Sequence, residues 1–174
     1  MSFLGVILDE NLSWKSHIFN VTRKIAKSIG IIYKSSFCLQ PSSLRTLYYS
    51  LVYPYLIYCV SVWGSTYKSN LLRIVLLQKK AIRILSKVSF DSHTDPLFKE
   101  HGILTIQNIY LSQIGNFMFR FSKGLLPNSF SDMFKLTNQM HPYNTRNSNK
   151  FFIFHSRTNL RQFSIRFRGP KFFN

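Results

Sequence analysis

The sequence predicts a mainly α-helical fold: a small helical bundle with a short N-terminal β remnant and a basic, aromatic-rich C-terminal segment. Three observations carry this. Apolar residues recur at steps of three and four over long stretches, turn residues cut those stretches into helix-sized lengths, and beyond Met140 the chain has lysine, arginine and phenylalanine but no acid. With 174 residues, 45% of them hydrophobic, the chain can bury a core in one or two small domains.

Phe3 to Leu8 reads as a strand, and Asp9-Glu10-Asn11 as the turn that ends it. Ser13 then offers an N-cap for a helix through about Ser36. Within it Trp14, Ile18, Val21, Ile25, Ile29 and Ile32 form one narrow apolar stripe, with Arg23, Lys27 and Lys34 on the opposite face. Pro41 suits the first turn of a second helix from Ser42 toward Cys59, bent at Pro54 and closed by Trp63-Gly64-Ser65. A third helix, about Ser69 to Val88, is apolar over most of its circumference but keeps Arg73, Lys80, Arg83 and Lys87 within one strip, with Lys79 beside them. That strip either meets phosphates or is a solvated face. From Phe90 to His101 the chain connects, with Asp95 as N-cap and Pro96 as first residue of a short helical turn. Thr105 caps a fourth helix, Ile106 to Ser122, stopped by Gly124 and Pro127. In the final segment the alternation Phe163-Ser164-Ile165-Arg166-Phe167-Arg168 suits an edge strand or hairpin; the alternative is a segment partly disordered without its partner. The expected divisions are 1–12 for the β remnant, 13–90 for the helical domain, 91–140 for a helical extension and 141–174 for the basic tail.

Charge sets the partner and limits the chemistry. Twenty-three Lys and Arg against 6 acids give a formal charge of +17, and aromatics make up 16% of the chain. Cations that neutralise phosphates and rings that stack on bases favour a polyanion. Two-metal phosphoryl transfer needs carboxylates that hold two cations about 4 Å apart, whereas Asp9, Glu10, Asp91, Asp95, Glu100 and Asp132 form no local cluster beyond one adjacent pair in a turn. Binding is favoured over catalysis. Asp91, His93 and Asp95 alternate in a loop and do not converge on a metal ion without a turn that folds them inward. Thr46 to Tyr67 is uncharged and long enough to span a bilayer, but the five tyrosines and two serines before Trp63, with Pro54 among them, dilute its hydropathy, so no membrane span is expected. Cys38 and Cys59 lack the neighbours of a zinc site or a disulfide framework, which suits a reducing, intracellular compartment without choosing between nucleus and cytoplasm. No basic region precedes the first apolar run, and Asp9-Glu10 cuts it short, so no signal peptide is expected.

Several blocks occur in a definite order. Phe3-Leu4-Gly5-Val6 precedes Asp9, Leu12-Ser13-Trp14 and His17-Ile18; Leu47 to Leu56 and Val62-Trp63-Gly64 follow; then come Leu77-Gln78-Lys79-Lys80-Ala81-Ile82-Arg83-Ile84, His93-Thr94 with Pro96-Leu97-Phe98, Ile103-Leu104, Leu126-Pro127 and Tyr143-Asn144-Thr145-Arg146. The end is Ser164-Ile165-Arg166 through Gly169-Pro170-Lys171-Phe172-Phe173-Asn174. Together they resemble the reverse transcriptases of jockey-like, non-long-terminal-repeat retrotransposons, in the part that follows the polymerase palm; Phe173 stands where that family more commonly has tryptophan. The resemblance implies a thumb-like bundle and C-terminal region of an RNA-directed DNA polymerase, preceded by a palm-edge remnant. Its partners would be RNA, DNA or their hybrid, together with a palm and fingers. Phe3, Leu4 and Gly5 match a primer grip, Lys79, Lys80, Arg83 and Lys87, with Arg73, would neutralise phosphates, and Arg146, Arg166, Arg168 and Lys171 would add a second basic surface. The intact family enzyme uses Mg2+ on a carboxylate block that includes Tyr-x-Asp-Asp; the sequence has no such block, so no cofactor and no catalysis are expected, and Met1 is expected to open a fragment. The competing reading is a host-retained nucleic-acid-binding module, or a decayed reading frame with no selected function. Peripheral membrane attachment suits the charge but not the narrow isoleucine stripe.

Overall fold

The computed structural model describes residues 1–140, 143 and 146–174. Asn144 and Thr145 of the block ending at Arg146, and His141, where the basic segment is expected to begin, lie outside the described residues. The chain forms two compact units, residues 1–109 and 110–174.

In the first unit the N-terminal segment is a hairpin and not a single strand. Strands β1 (Ser2–Phe3) and β2 (Val6–Ile7) pair antiparallel, with Ser2 opposite Ile7 and Phe3 opposite Val6. Leu4 and Gly5 form the loop, with φ of 45° and 80°; positive φ at both positions gives the twist that a two-residue hairpin needs. The Asp9 carboxylate then accepts the N–H groups of Ser13 at 2.8 Å and Trp14 at 2.9 Å. This displaces the expected cap by one residue: Trp14, left-handed at φ 63°, is the N-cap of helix α1 (Lys15–Ser35). Ser13 instead lends its carbonyl to the Thr66 hydroxyl and the Asn70 amide, both at 3.2 Å.

Helix α1 buries Ile18, Val21, Ile25, Ile29 and Ile32, the expected stripe, together with His17 and Ser28. It packs chiefly on α5 (Lys68–Ser86) and also on α2 (Pro41–Leu51) and α3 (Tyr53–Ile57). The helix expected from Ser42 toward Cys59 is thus broken where a bend was expected. Pro54 supplies no N–H and its ring crowds the carbonyl one turn back, so α2 ends at Leu51 and α3 starts afresh with proline in its first turn. Tyr58 is then extended and Cys59 left-handed at φ 51° before the short α4 (Val60–Trp63), which buries Trp63 completely. Helix α6 (Asp95–Glu100) begins at Asp95, with Thr94 and not Asp95 as its N-cap residue. The Thr105 hydroxyl accepts the Asn108 N–H at 3.3 Å and opens α7 (Ile106–Ser122) as expected. Gly124, at φ 64°, ends it, with Leu125 N–H bonded back to the Arg120 carbonyl and Gly124 N–H to that of Phe121. Among the described residues no helix is long and apolar enough to cross a membrane.

The second unit is held together by phenylalanines. Phe134 lies among Phe117, Phe121 and Phe151, with ring centroids 6.3, 4.8 and 5.9 Å away. Helices α8 (Asn159–Phe163) and α9 (Ile165–Phe173) occupy the stretch whose alternation suits a strand or hairpin. Six residues are too few to separate a period of two from one of 3.6, and two features of the folded unit accompany the helix. Ser164 is extended and its carbonyl accepts the N–H groups of Phe167 and Arg168. Gly169 then passes so close to Met118 that a Cβ there would lie 2.6 Å from its sulfur. The Asn174 side chain closes the unit by bonding both the N–H (3.0 Å) and the carbonyl (2.8 Å) of Phe151.

Candidate nucleic-acid interface

Helix α5 turns Leu71, Ile74, Gln78, Ala81, Ile82 and Leu85 inward. Its cations follow the other side, but not as equals. Arg73 and Lys80 are exposed, Lys79 and Arg83 half-buried, and Lys87 exposed just past the last turn. Successive seven-residue steps from Arg73 to Lys80 to Lys87 are about 10 Å each along the axis. Arg73 borders a recess of about 310 Å³ with Lys15, Phe19 and Asn70. At the other end Lys80, Arg83 and Lys87 border a recess of about 350 Å³ with Tyr33, Phe37 and Phe90. The guanidinium of Arg83 is partly committed, its Nε donating to the Ser92 carbonyl at 2.9 Å and its plane lying 5.5 Å from the Phe90 ring centroid.

Lys87 occupies a position that usually takes glycine. The Val88 N–H bonds the Arg83 carbonyl and the Lys87 N–H that of Ile84, the pattern that closes a helix through a left-handed residue. Lys87 is that residue, at φ 53°. A side chain there costs about 1–2 kcal/mol, and what it gains is an exposed ammonium at the rim of the recess.

Phe3, Leu4 and Gly5, expected from the sequence to match a primer grip, sit on the hairpin. Phe3 and Leu4 are exposed, and the Tyr58 hydroxyl donates to the Leu4 carbonyl at 2.6 Å. Gly5 is required by its φ and not by crowding, since the nearest atom to an added Cβ is a Tyr58 ring carbon at 4.0 Å. Beneath the loop His17 is buried, and the Ile7 N–H donates to its Nδ1 at 3.3 Å. The neutral ring therefore carries its proton on Nε2, and charging it would set two N–H groups against each other. Burial lowers its pKa below the usual histidine value, and the positive charge of Lys24 lowers it further. The unfolded chain thus binds a proton that the folded one resists, so stability is complete above about pH 6.5 and falls as the pH drops from there through the lowered folded value. Thermal melts should move to lower temperature from pH 7 to pH 5, and His17→Gln should flatten that dependence; an equal slope in the variant would place the titration elsewhere.

The C-terminal cations are paired with rings in their own unit. Arg166 lies 5.2 Å from the Phe154 centroid, Arg168 5.6 Å from Phe163 and Lys171 5.8 Å from Phe167. Arg168 is half-buried and its Nε donates to the Gln162 carbonyl at 3.2 Å, so it serves packing, whereas Arg146 and Arg166 remain exposed. The interleaving of arginine and phenylalanine is the signature of this pairing. The sequence carries no comparable signal for the aromatic lining of the recess at the end of α5. Phe37 and Phe90 stand in turns just past two helices, where hydrophobic periodicity has no vote.

The carboxylates do not fit a two-metal centre. Both oxygens of Asp9 are occupied by the Ser13 and Trp14 N–H groups, and its carboxyl is held below the usual range, first by the Ser13 side chain. Ser89 donates its hydroxyl to Asp91. Among the described residues no group of three or more His, Cys, Asp or Glu side chains comes together.

These features define a strongly cationic helical bundle without a carboxylate cluster among its described residues. The chain is 27% identical over 128 residues to the "Probable RNA-directed DNA polymerase from transposon BS" of Drosophila melanogaster, covering 71% of this chain and 14% of that protein. It is 27% identical over 108 residues to the "Probable RNA-directed DNA polymerase from transposon X-element" of the same organism, covering 60% of this chain and 12% of that protein. The chain is thus similar to part of these RNA-directed DNA polymerases, in keeping with its ordered blocks, and spans about an eighth of the length of these curated relatives. No family model and no solved structure matches it.

Proposed function

We propose that this region grips template-primer nucleic acid, as a thumb and C-terminal region of a reverse transcriptase, without bond-making groups of its own. The observation that carries this is the alignment of Arg73, Lys80, Arg83 and Lys87 along the outer side of α5 in a chain similar to RNA-directed DNA polymerases. Cations spaced along a rigid helix neutralise successive phosphates and fix register without reading sequence. The β1–β2 loop would bring the backbone of Phe3, Leu4 and Gly5 to the primer strand, and Arg146, Arg166 and Lys171 would add a second basic surface.

Binding of a primed RNA–DNA hybrid should weaken with salt at a slope of about −0.9 per phosphate neutralised. Changing Lys79, Lys80, Arg83 and Lys87 together to Ala should reduce the slope's magnitude by roughly three, while alanine preserves helix propensity. An unchanged slope would make the strip a solvated face and transfer the role to the C-terminal cations. The same preparation should incorporate no deoxynucleotide with Mg2+ or Mn2+; template-dependent incorporation that survives repurification would contradict the reading of the carboxylates.

A further inference from the structure

We propose that the recess where α1 and α5 end is a stacking subsite for one unpaired base of a nucleic-acid strand, with Lys80 and Lys87 on its flanking phosphates. The inference deepens the nucleic-acid reading and rests on it. Isolated exposed rings are ordinary on protein surfaces, but Tyr33, Phe37 and Phe90 are 51%, 74% and 78% exposed around a single recess of about 350 Å³. That volume lies in the range of small-ligand pockets. Tyr33 and Phe37 meet edge to face at 5.3 Å, which steadies Phe37 at the rim. Arg83 braces Phe90 from one side, 5.5 Å from its centroid.

Charge selects the occupant. The lining includes three cations and no carboxylate, and Asp91, next to Phe90, is already engaged by Ser89 and feels the charge of Arg83. An anion with a flat apolar face matches this lining, and a nucleotide has both. The base must be unpaired, because stacking within a duplex covers the faces that rings would otherwise meet. The left-handed Lys87 fits the same assignment: local strain is retained where the side chain is needed.

The test compares a blunt duplex with the same duplex carrying a short single-stranded extension that contains 2-aminopurine. The full chain should bind the extended duplex roughly tenfold more tightly and quench the probe, since stacking on an aromatic ring is worth about that much or more per base. Phe37→Leu/Phe90→Leu should abolish both the preference and the quench while leaving the salt slope on blunt duplex intact. Lys87→Gly should melt at a higher temperature yet show a salt slope smaller by about one. Equal affinity for the two duplexes, or a quench that survives in the double leucine variant, would remove the subsite and leave the nucleic-acid reading standing; failure to bind either duplex would overturn both. A glutamate–tyrosine copolymer bound as tightly, with the same dependence on Phe37 and Phe90, would make the recess a protein-docking site and overturn the assignment.

Discussion

Replacing Ile25 by Asp is expected to destabilise the first unit by about 3 kcal/mol or more, enough to unfold much of it. Ile25 has no exposed surface and lies midway along the stripe of α1, the helix that packs on α5, α2 and α3. A carboxylate there loses its hydration and meets no cation on the stripe, whose other members are Ile18, Val21, Ile29 and Ile32. Protonation is its cheapest escape, so the variant should regain part of its stability below pH 5, where wild type regains none. Ile25→Val, which removes one methylene, should cost only about 0.5–1.5 kcal/mol and show no such pH dependence. Denaturant unfolding at pH 7 and pH 4.5 checks all three. A cooperative transition unchanged in Ile25→Asp would mean that the stripe faces water, and would reopen the membrane-surface reading.

How much of the fold is legible in the sequence depends on how many periods each element offers. The stripe of α1 runs through five apolar positions, and α7 is bracketed by Thr105 and Gly124, so periodicity and end signals alone suffice to read both helices. The end of α5 is less plain, because its left-handed closing residue is Lys87 where glycine would have announced it. Between Pro41 and Trp63 a proline signals a bend, but nothing in Tyr58-Cys59 announces a second break. Local signals fail in α9 for a different reason, since six alternating residues fit either period, and the extended Ser164 and the close pass of Gly169 over Met118 are features of the folded unit. The cation strip of the candidate site is visible as composition at helical spacing. The rings around it are not, since Tyr33, Phe37 and Phe90 are brought together only when α1 and α5 end side by side.

Gln78→Leu should cost about 3–5 kcal/mol, although the substitution makes the apolar face of α5 more uniform. Gln78 is 1% exposed in the middle of α5. Its amide donates to the Tyr48 hydroxyl of α2 at 3.0 Å and to the Leu104 carbonyl at 3.2 Å, and its Oε1 accepts the Ile106 N–H at 2.8 Å. That N–H belongs to the first residue of α7, one of the donors a helix cannot satisfy from within. One side chain thus ties three segments together, and burial pushes the Tyr48 phenol up to about 12. Leucine matches the volume roughly but strands the Ile106 N–H, the Leu104 carbonyl and a phenol, each costing about 1–3 kcal/mol if it finds no water. Sharing and relaxation keep the total below the sum. Tyr48→Phe alone should cost about 1–2 kcal/mol, and the double variant should be less destabilised than the two singles added, because the second change removes a group already stranded. Between Lys79 and Ile84 the cations attract the eye, yet the glutamine before them is the residue on which this part of the bundle closes. If Gln78→Leu melts like wild type, the three bonds carry no net stability and the junction of α2, α5 and α7 is held by apolar contact alone.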